Sequence, residues 1–292
     1  MTNVQQEAAQ HGEHTAPVGA WDVIAALYDE HVAPGESGLA TAGLRLAGLQ
    51  PGETFLDVAA GTGGLSLPAA RLGAKVLATD WSPKMIERFN ARAAAEELDA
   101  EGRVMDCHAL DIPDDSYDVA GSQFGVMLVP DQAQALREMV RVTRPGGHVL
   151  LIAYGNPDEF EALHVFISAV QAVVPDFEGP PEDEPMLEFQ VADPDVLRQR
   201  LVDAGLTDAT VDSSTQERIS VRTGQQLWDW TLGSNPIPGA LVADLSDRQR
   251  DDIVLVLDGM VRERSGGNGP AVLTAPLNIG VGTKPAAPTP GA

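Results

Sequence analysis

The sequence predicts an α/β fold, in which a largely parallel sheet carries helices on both faces and an inserted cap. From Pro51 to Tyr154, short apolar runs alternate with amphipathic stretches, and this pattern is typical of strands joined by crossover helices. The chain has 292 residues, of which 43% are hydrophobic, so it is long enough to bury one large core. We therefore expect one α/β core with further chain added to it.

The elements of this core can be placed in order. Apolar positions at helical spacing from Trp21 to Leu49 predict two helices, separated at Pro34 and Gly35. The strands expected next are Thr54–Ala59, Lys75–Thr79, Arg103–His108, Tyr117–Ser122 and His148–Tyr154. The helices expected between them are Leu65–Leu72, Pro83–Leu98 and Gln132–Val142, and the residues expected to form a tight turn are Arg144–Gly147.

After Tyr154 the pattern is less regular. Predicted helices are Pro157–Val173, Pro194–Ala204, Gly224–Leu232 and Asp247–Arg264, and predicted strands are Thr207–Val221 and Ala271–Val281. A proline-rich turn is expected at Asn235–Gly239, and the acidic run Glu178–Glu188 is expected to be a solvated loop.

Composition excludes several classes of partner. The formal net charge is -24, and such a field repels nucleic acid backbones and anionic membranes. The single cysteine, Cys107, excludes an intramolecular disulfide and is compatible with a reducing cytoplasm. No apolar run has the ~20 residues of a membrane helix, and no secretory leader is evident. We expect a cytoplasmic protein with no nucleic acid or membrane partner, and we allow for a homodimer.

The strongest motif is the segment FLDVAAGTGG, from Phe55 to Gly64, at the predicted end of the first strand. Its glycines permit a sharp turn and a close approach of the backbone to a ligand, and free N–H groups at the helix start favour an anionic group. A dinucleotide site would prefer G-x-G-x-x-G, but Ser66 occupies the third glycine position. The motif thus argues against an NAD site. The alternative to a ligand-binding role is that the glycines only allow tight packing between the strand and the helix.

Two carboxylates follow the next predicted strands. Asp80 ends the second strand, where an acidic side chain can accept hydrogen bonds from ribose hydroxyls. Its alternative role is a helix N-cap, although Ser82 before Pro83 is the better cap. Asp106 lies where a carboxylate can accept from the amino group of adenine, and its alternative role is that of an ordinary loop aspartate.

Taken together, these motifs resemble the class I S-adenosylmethionine-dependent methyltransferases, especially the small-molecule group of ubiquinone and menaquinone biosynthesis. The matching segments are LDVAAGTGG, ATDWSPKMIE, MDCHALDIPDDSYDVAGSQFG and RVTRPGGHVLLI, in family order and spacing. The resemblance implies a Rossmann-like sheet, S-adenosyl-L-methionine as cofactor and methyl transfer to O, N or C of a small, largely apolar metabolite. The alternatives are a nicotinamide-dependent oxidoreductase and a non-catalytic protein that binds adenosyl ligands.

The resemblance also implies roles for individual residues. Asp57 would brace the glycine loop near the amino group of the methionine part, and Asp80 would hold the ribose. The methionine part would further contact Gly61, Gly63, Ser122 and Gln123, and the adenine would contact Trp81, Met85, Asp106 and the backbone of Cys107. Ala59 stands where the family often has the first glycine. Tyr28 would close over the cofactor, its alternative role being a half-buried aromatic that pins its helix.

Catalytic and acceptor residues are harder to predict. His31, His108, His148 and His164 lie in different predicted elements without metal-ligand spacing, so we expect no metal. Cys107 is expected to be passive because no basic residue near it in sequence is expected to lower its pKa. His164 is the best candidate for a general base, and the expected acceptor contacts are Phe160, His164, Met186 and Trp228.

The expected division of the chain follows from these assignments. Residues 1–18 form a disordered N-terminus and residues 284–292 a disordered tail. The cofactor-binding core with its N-terminal helices spans residues 19–154, the acceptor cap and sixth-strand region residues 155–238, and the last helix and strand, which complete the core, residues 239–283.

Overall fold

A computed structural model describes residues 19–177, 179 and 186–286. The predicted disordered N-terminus, most of the predicted acidic loop and the end of the predicted tail lie outside these residues.

The helices are α1 Ala20–Leu27, α2 Ala33–Leu46, α3 Ser66–Arg71, α4 Pro83–Ala95, α5 Gln132–Val142, α6 Glu161–Val173, α7 Pro194–Asp203, α8 Gly224–Ser234, α9 Pro236–Leu241 and α10 Asp247–Ser265. The strands are β1 Thr54–Val58, β2 Lys75–Asp80, β3 Ala100–Val104, β4 Tyr117–Gln123, β5 Thr143–Tyr154, β6 Thr207–Asp212, β7 Gln216–Val221 and β8 Ala271–Thr283.

The sheet has the order β3-β2-β1-β4-β5-β8-β6. Strands β1 to β5 are parallel, whereas β8 runs antiparallel to both β5 and β6. The strand order reverses between β1 and β4, and in open α/β sheets ligands bind at the carboxyl ends of the strands next to such a reversal. The fold class predicted from the sequence is confirmed.

The long strand β8 joins two hydrophobic cores. Its second half, Leu277–Thr283, pairs with β5 and β6, while its first half, Ala271–Pro276, pairs with β7. The first core surrounds the main sheet and includes Leu44, Phe55 and Ile152. The second core lies around β7 and the helices α6, α8 and α10, and it draws residues from both sides of residue 238. The division into domains at that residue stays a prediction.

Two predicted strands differ from the structure. The third strand is Ala100–Val104, not Arg103–His108, because it is an edge strand whose side chains are mostly exposed and carry little apolar signal. The predicted strand Thr207–Val221 is two strands, β6 and β7, separated by a turn in which Ser214 N donates to Asp212 Oδ1. Each strand pairs with a different half of β8.

Two predicted turns and a predicted break are also different. Arg144–Gly147 belongs to the irregular start of β5, where Gly146 N donates to the Lys284 carbonyl. Asn235 caps α9, which includes the predicted turn, and proline at the first helical position suits that start. The expected break at Pro34 comes earlier, as a π-helical turn over Tyr28–Val32 that leads directly into α2.

No helix among the described residues is both long enough and apolar enough to cross a bilayer.

Candidate active site

The glycine loop follows β1 at the reversal point of the sheet. Gly61 and Gly63 have φ angles of 56° and 101°, a region that glycine enters without a steric penalty. Ala59, in the position of the usual first glycine, has a φ of 54°, which costs about 1 kcal/mol for a residue with a Cβ. Gly125 passes close to it, since a Cβ on Gly125 would lie 2.5 Å from the Ala59 carbonyl oxygen. The backbone at Ala59 is thus packed closely against Gly125.

Asp80 ties the end of β2 to this loop. Its Oδ2 accepts from Gly61 N at 2.8 Å and its Oδ1 accepts from Ser82 N at 2.8 Å. Burial raises the pKa of this carboxyl, and the two backbone hydrogen bonds oppose that rise. Each carboxylate oxygen still has a lone pair free for a hydroxyl donor. The N-cap of α4 is Ser82, whose Oγ accepts from Met85 N at 3.1 Å. Asp80 is therefore not the N-cap, which was the alternative role considered for it.

Buried polar groups lie next to the loop on β1 and β4. Asp57 is 1% exposed, its Oδ2 accepts from Ser66 Oγ, and burial raises its pKa to about 7. Gln123, at the end of β4, is 8% exposed. Among the described residues, Asp57 Oδ1 and both side-chain polar atoms of Gln123 have no hydrogen-bond partner. Buried polar atoms are normally satisfied, so these atoms indicate a polar ligand above the loop.

The N-terminal helices cover the loop. A Cβ on Gly61 would lie 3.4 Å from the Tyr28 ring, and one on Gly64 would lie 2.2 Å from Glu36 Oε2. Tyr28 OH donates to Glu36 Oε1 at 2.7 Å. Burial raises the pKa of Glu36 to about 7, although Tyr28 and Arg92 favour its charged form. Sequence reasoning predicted the place of Tyr28 but missed Glu36, which lies in a segment without a recognisable motif.

A salt-bridge network holds this cover in place. Asp29, in the π-helical turn, accepts from Arg92 at 3.0 Å and from Arg88 at 3.3 Å, both on α4. The Arg92 guanidinium also lies 3.4 Å from Thr62 Oγ1 in the glycine loop. Because π-helical turns are rare and concentrate at functional sites, the Tyr28 segment is a second reason to place a ligand here.

The predicted adenine side is more open. Trp81 is 37% exposed, whereas Met85 is buried. Asp106 Oδ1 accepts from both the backbone N and the ring Nδ1 of His108, the latter at 2.7 Å. The hydrogen bond to Asp106 raises the pKa of His108 to about 10. The His108 ring also lies 3.8 Å from Cys107 Sγ, and the expectation that Cys107 is passive stays a prediction.

An aromatic cluster continues the site toward the second core. Phe124, directly after β4, stacks on Tyr154 with ring centroids 4.7 Å apart, and the Phe160 ring centroid also lies 4.7 Å from that of Tyr154. Phe189 lies 6.4 Å from Tyr154, and Trp230 lies 6.4 Å from Phe160. Tyr154 OH donates to the buried Glu217 at 3.1 Å. The cluster therefore combines apolar rings with a buried carboxyl group, as acceptor pockets do.

Other predicted acceptor residues lie apart from this cluster. Trp228 packs on Phe166, with ring centroids 5.6 Å apart, inside the second core. His164 is exposed and lines a surface pocket with residues of α10. In the described part of the chain, its ring forms no hydrogen bond or ion pair. Met186 is half-buried directly before the short helix Leu187–Phe189.

Comparison with known proteins decides the family. A profile described as "Methyltransferase domain" matches residues 56–151. A demethylmenaquinone methyltransferase of Renibacterium salmoninarum is 31% identical over 170 residues, which cover 56% of this chain and 70% of that protein. The chain belongs to the S-adenosylmethionine-dependent methyltransferase family. The predicted family, its Rossmann-like sheet and its characteristic cofactor are confirmed, and a nicotinamide-dependent oxidoreductase is not favoured.

Two further similarities show how far the match extends. The uncharacterized protein Rv1405c of Mycobacterium tuberculosis is 45% identical over 108 residues, which span 37% of this chain and only 39% of that relative. The crystal structure of the YcgJ protein from Bacillus subtilis superimposes with a TM-score of 0.54 at 16% identity, covering 86% of this chain and 99% of that one. The second similarity shows the methyltransferase fold alone.

Asp106, Cys107 and His108 place three potential metal-ligand atoms within 4.8 Å of one another. Asp106 and His108 already pair with each other there, at the position that the family resemblance assigns to adenine. The prediction that the protein needs no metal stays a prediction.

Proposed function

We propose that this protein transfers the methyl group of S-adenosyl-L-methionine to a small, largely apolar metabolite. The observation that carries the proposal is the carboxylate of Asp80, half-buried at the end of β2 and oriented by Gly61 N and Ser82 N. Because both backbone N–H groups fix the carboxylate, its remaining lone pairs are preorganised for the two ribose hydroxyls of the cofactor.

The buried groups around the glycine loop suit the charged methionine end. S-adenosylmethionine carries a sulfonium and an ammonium group, and Asp57, Glu36 and Gln123 offer carboxyl and amide oxygens beside Gly61–Gly64. A cation there would return the two carboxyls to their charged forms. Gly61 and Gly63 would line the methionine part with Ser122 behind it, Tyr28 would cover it, and Trp81, Met85, Asp106 and the Cys107 backbone would flank the adenine.

Methyl transfer from a sulfonium is an in-line displacement. Positioning the acceptor atom against the methyl group in a dry site can contribute about 7 to 11 kcal/mol. The cover formed by Tyr28 and Glu36 excludes water, and the rings of Tyr154 and Phe160 hold an apolar acceptor. In this proposal the chain from Gly155 to Pro238 forms the cap. Roles for His164, Met186 and Trp228 in acceptor binding, and a homodimer, stay predictions.

A methyl-transfer assay tests the proposal. The full chain is incubated with S-adenosylmethionine and a metabolite extract, with and without EDTA, and mass spectrometry detects products heavier by one methyl group together with S-adenosylhomocysteine. We expect turnover that EDTA does not reduce. Saturable cofactor binding without any methylated product would favour the non-catalytic adenosyl-binding alternative.

A further inference from the structure

The surroundings of Tyr154 contain three buried glutamates from three distant segments. Glu217 on β7 is 3% exposed and accepts from Tyr154 OH. Glu36 on α2 is 3% exposed, and its charge raises the pKa of both Tyr154 and Glu217. Glu188, in the short helix Leu187–Phe189, also raises the pKa of Tyr154. Of the three, Glu217 contacts Tyr154 directly, and the charges of the other two act on the same phenol.

Two of these carboxyl groups, Glu188 and Glu217, have no cationic group beside them among the described residues, whereas Arg92 favours the charged form of Glu36. No lysine, arginine or histidine forms an ion pair with Glu188 or Glu217 within the described ranges of the chain. Glu188 is 6% exposed, and its Oε2 has no hydrogen-bond partner there. Burial raises the pKa of Glu217 to about 8 and also raises that of Glu188. A buried, unpaired carboxyl group is costly in its charged form, so a ligand that supplies a positive charge would be stabilised beside these two groups.

The rings beside these carboxyl groups also favour a cation. Phe124, Tyr154, Phe160 and Phe189 lie within 6.5 Å of a neighbouring ring in this cluster. Aromatic faces attract cations, more strongly when water is excluded. The net charge of -24 adds long-range attraction for positively charged ligands. A phenolate or a carboxylate metabolite would be repelled by the same groups, and a neutral ligand would leave the carboxyls without a counter-charge.

We propose that the acceptor is an amine that is protonated in solution and carries an apolar body, and that Glu217 receives its proton before methylation on nitrogen. This inference rests on the proposed methyltransferase function. Glu36 faces the glycine loop and serves the cofactor, whereas Glu217 and Glu188 face the aromatic cluster and serve the acceptor.

The step balances in atoms and charge. The ammonium group of the acceptor gives one proton to the Glu217 carboxylate, which leaves a lone pair on the amine nitrogen. That lone pair forms the N–C bond to the methyl carbon while the C–S bond breaks, and the bonding electrons go to sulfur as a thioether. The products are the methylated ammonium ion, S-adenosylhomocysteine and one proton on Glu217, which later passes to solvent.

Calorimetry with three probes of similar size tests this inference. The full chain, with and without saturating S-adenosylhomocysteine, is titrated with N-methylbenzylamine, with its neutral analogue benzyl methyl ether, and with 1,4-dihydroxynaphthalene. We expect the amine to bind about tenfold or more tightly than the ether, because only the amine is charged at neutral pH. With S-adenosylmethionine present, the amine should gain one methyl group.

Two variants and a control identify the residues responsible. Glu217→Gln keeps a hydrogen-bond acceptor for Tyr154 and should remove most of the preference for the amine over the ether, and Glu188→Gln should reduce it. Glu263→Gln, at an exposed position on α10, should leave it unchanged. Equal binding of amine and ether, binding of none of the probes, or methylation of the dihydroxynaphthalene instead of the amine would overturn the inference. Failure to bind S-adenosylhomocysteine would count separately, against the proposed methyltransferase function.

Discussion

On the cofactor side of the active site, Asp57, Asp80 and Gln123 all stand at the carboxyl ends of neighbouring parallel strands. On the acceptor side, the groups around Tyr154 come from the residue after β4, the residue before α6, the helix Leu187–Phe189 and β7. The first side is fixed by backbone hydrogen bonds, such as those from Gly61 and Ser82 to Asp80. The second side is fixed mainly by side-chain packing. A site built in this way can keep its cofactor while its acceptor pocket changes.

The largest expected effect is on the acceptor side, where the buried carboxyl group of Glu217 makes the free energy of unfolding depend on pH. The folded-state pKa of Glu217 is raised from 4.5 to about 8, so its protonated form contributes stability at low pH, and this contribution is lost as pH rises from about 5 through about 8. Glutamine cannot ionise. We expect Glu217→Gln to be more stable than the wild type by about 2 to 4 kcal/mol at about pH 9 and equal to it near pH 5.

Urea denaturation across this pH range measures the difference. Glu263→Gln is the control, and it should follow the wild type at every pH. S-adenosylmethionine affinity should be the same in Glu217→Gln and the wild type. A constant stability difference between the two at all pH values would show that Glu217 is not buried as a titrating group.

The next effect belongs to the cofactor side. Asp80→Ala removes the acceptor of Gly61 N and the proposed partner of the ribose, so we expect S-adenosylmethionine to bind about 1 to 3 kcal/mol more weakly. Isothermal titration calorimetry measures this change. Asp99→Ala, an exposed aspartate between α4 and β3, should leave the affinity unchanged. If Asp80→Ala binds the cofactor as the wild type does, the ribose is held elsewhere.

A smaller effect on cofactor affinity is expected from the ion pairs that hold the Tyr28 segment. Asp29→Asn weakens the ion pairs with Arg88 and Arg92 that hold the Tyr28 segment over the loop. Because these groups are partly exposed, we expect a loss of only about 0.5 to 1 kcal/mol in cofactor affinity, measured as a faster release of S-adenosylhomocysteine in stopped-flow experiments. Asn has nearly the same shape, so an unchanged release rate would show that the charge does not hold the cover.

The smallest effect concerns the glycine loop itself. Ala59→Gly relieves the left-handed conformation of Ala59 but makes the unfolded chain more flexible, and both effects are about 1 kcal/mol. We expect thermal unfolding and cofactor affinity to change by less than about 0.5 kcal/mol as a result. A large loss of affinity on this change would mean that the Ala59 methyl group itself contacts the ligand.

The same contrast explains what the sequence could predict. The carboxyl ends of β1, β2, β4 and β5, the turn of the glycine loop after β1 and the Ser82 cap depend on residues within one segment and on rules of local geometry, and their positions were predicted to within about one residue. The edge strand β3 was misplaced because Ala100–Val104 lacks an apolar run.

The acceptor side could not be predicted for a different reason. Glu36 and Glu217 are separated by most of the chain, and a single glutamate in a polar segment is normally an exposed residue. Only the fold brings them to Tyr154. His164 was the predicted general base because of its place on the helix after the fifth strand, but in the structure its side chain is exposed. Residues whose role depends on burial become evident when the packing of both cores is known.

Calorimetric titration of S-adenosylmethionine into the wild-type chain measures cofactor binding, on which the proposed methyl transfer depends. We expect saturable binding at one site per chain, displaced by S-adenosylhomocysteine and unaffected by NAD. No heat of binding at about millimolar cofactor, from protein that circular dichroism shows to be folded, would contradict it, and so would a site that NAD occupies instead.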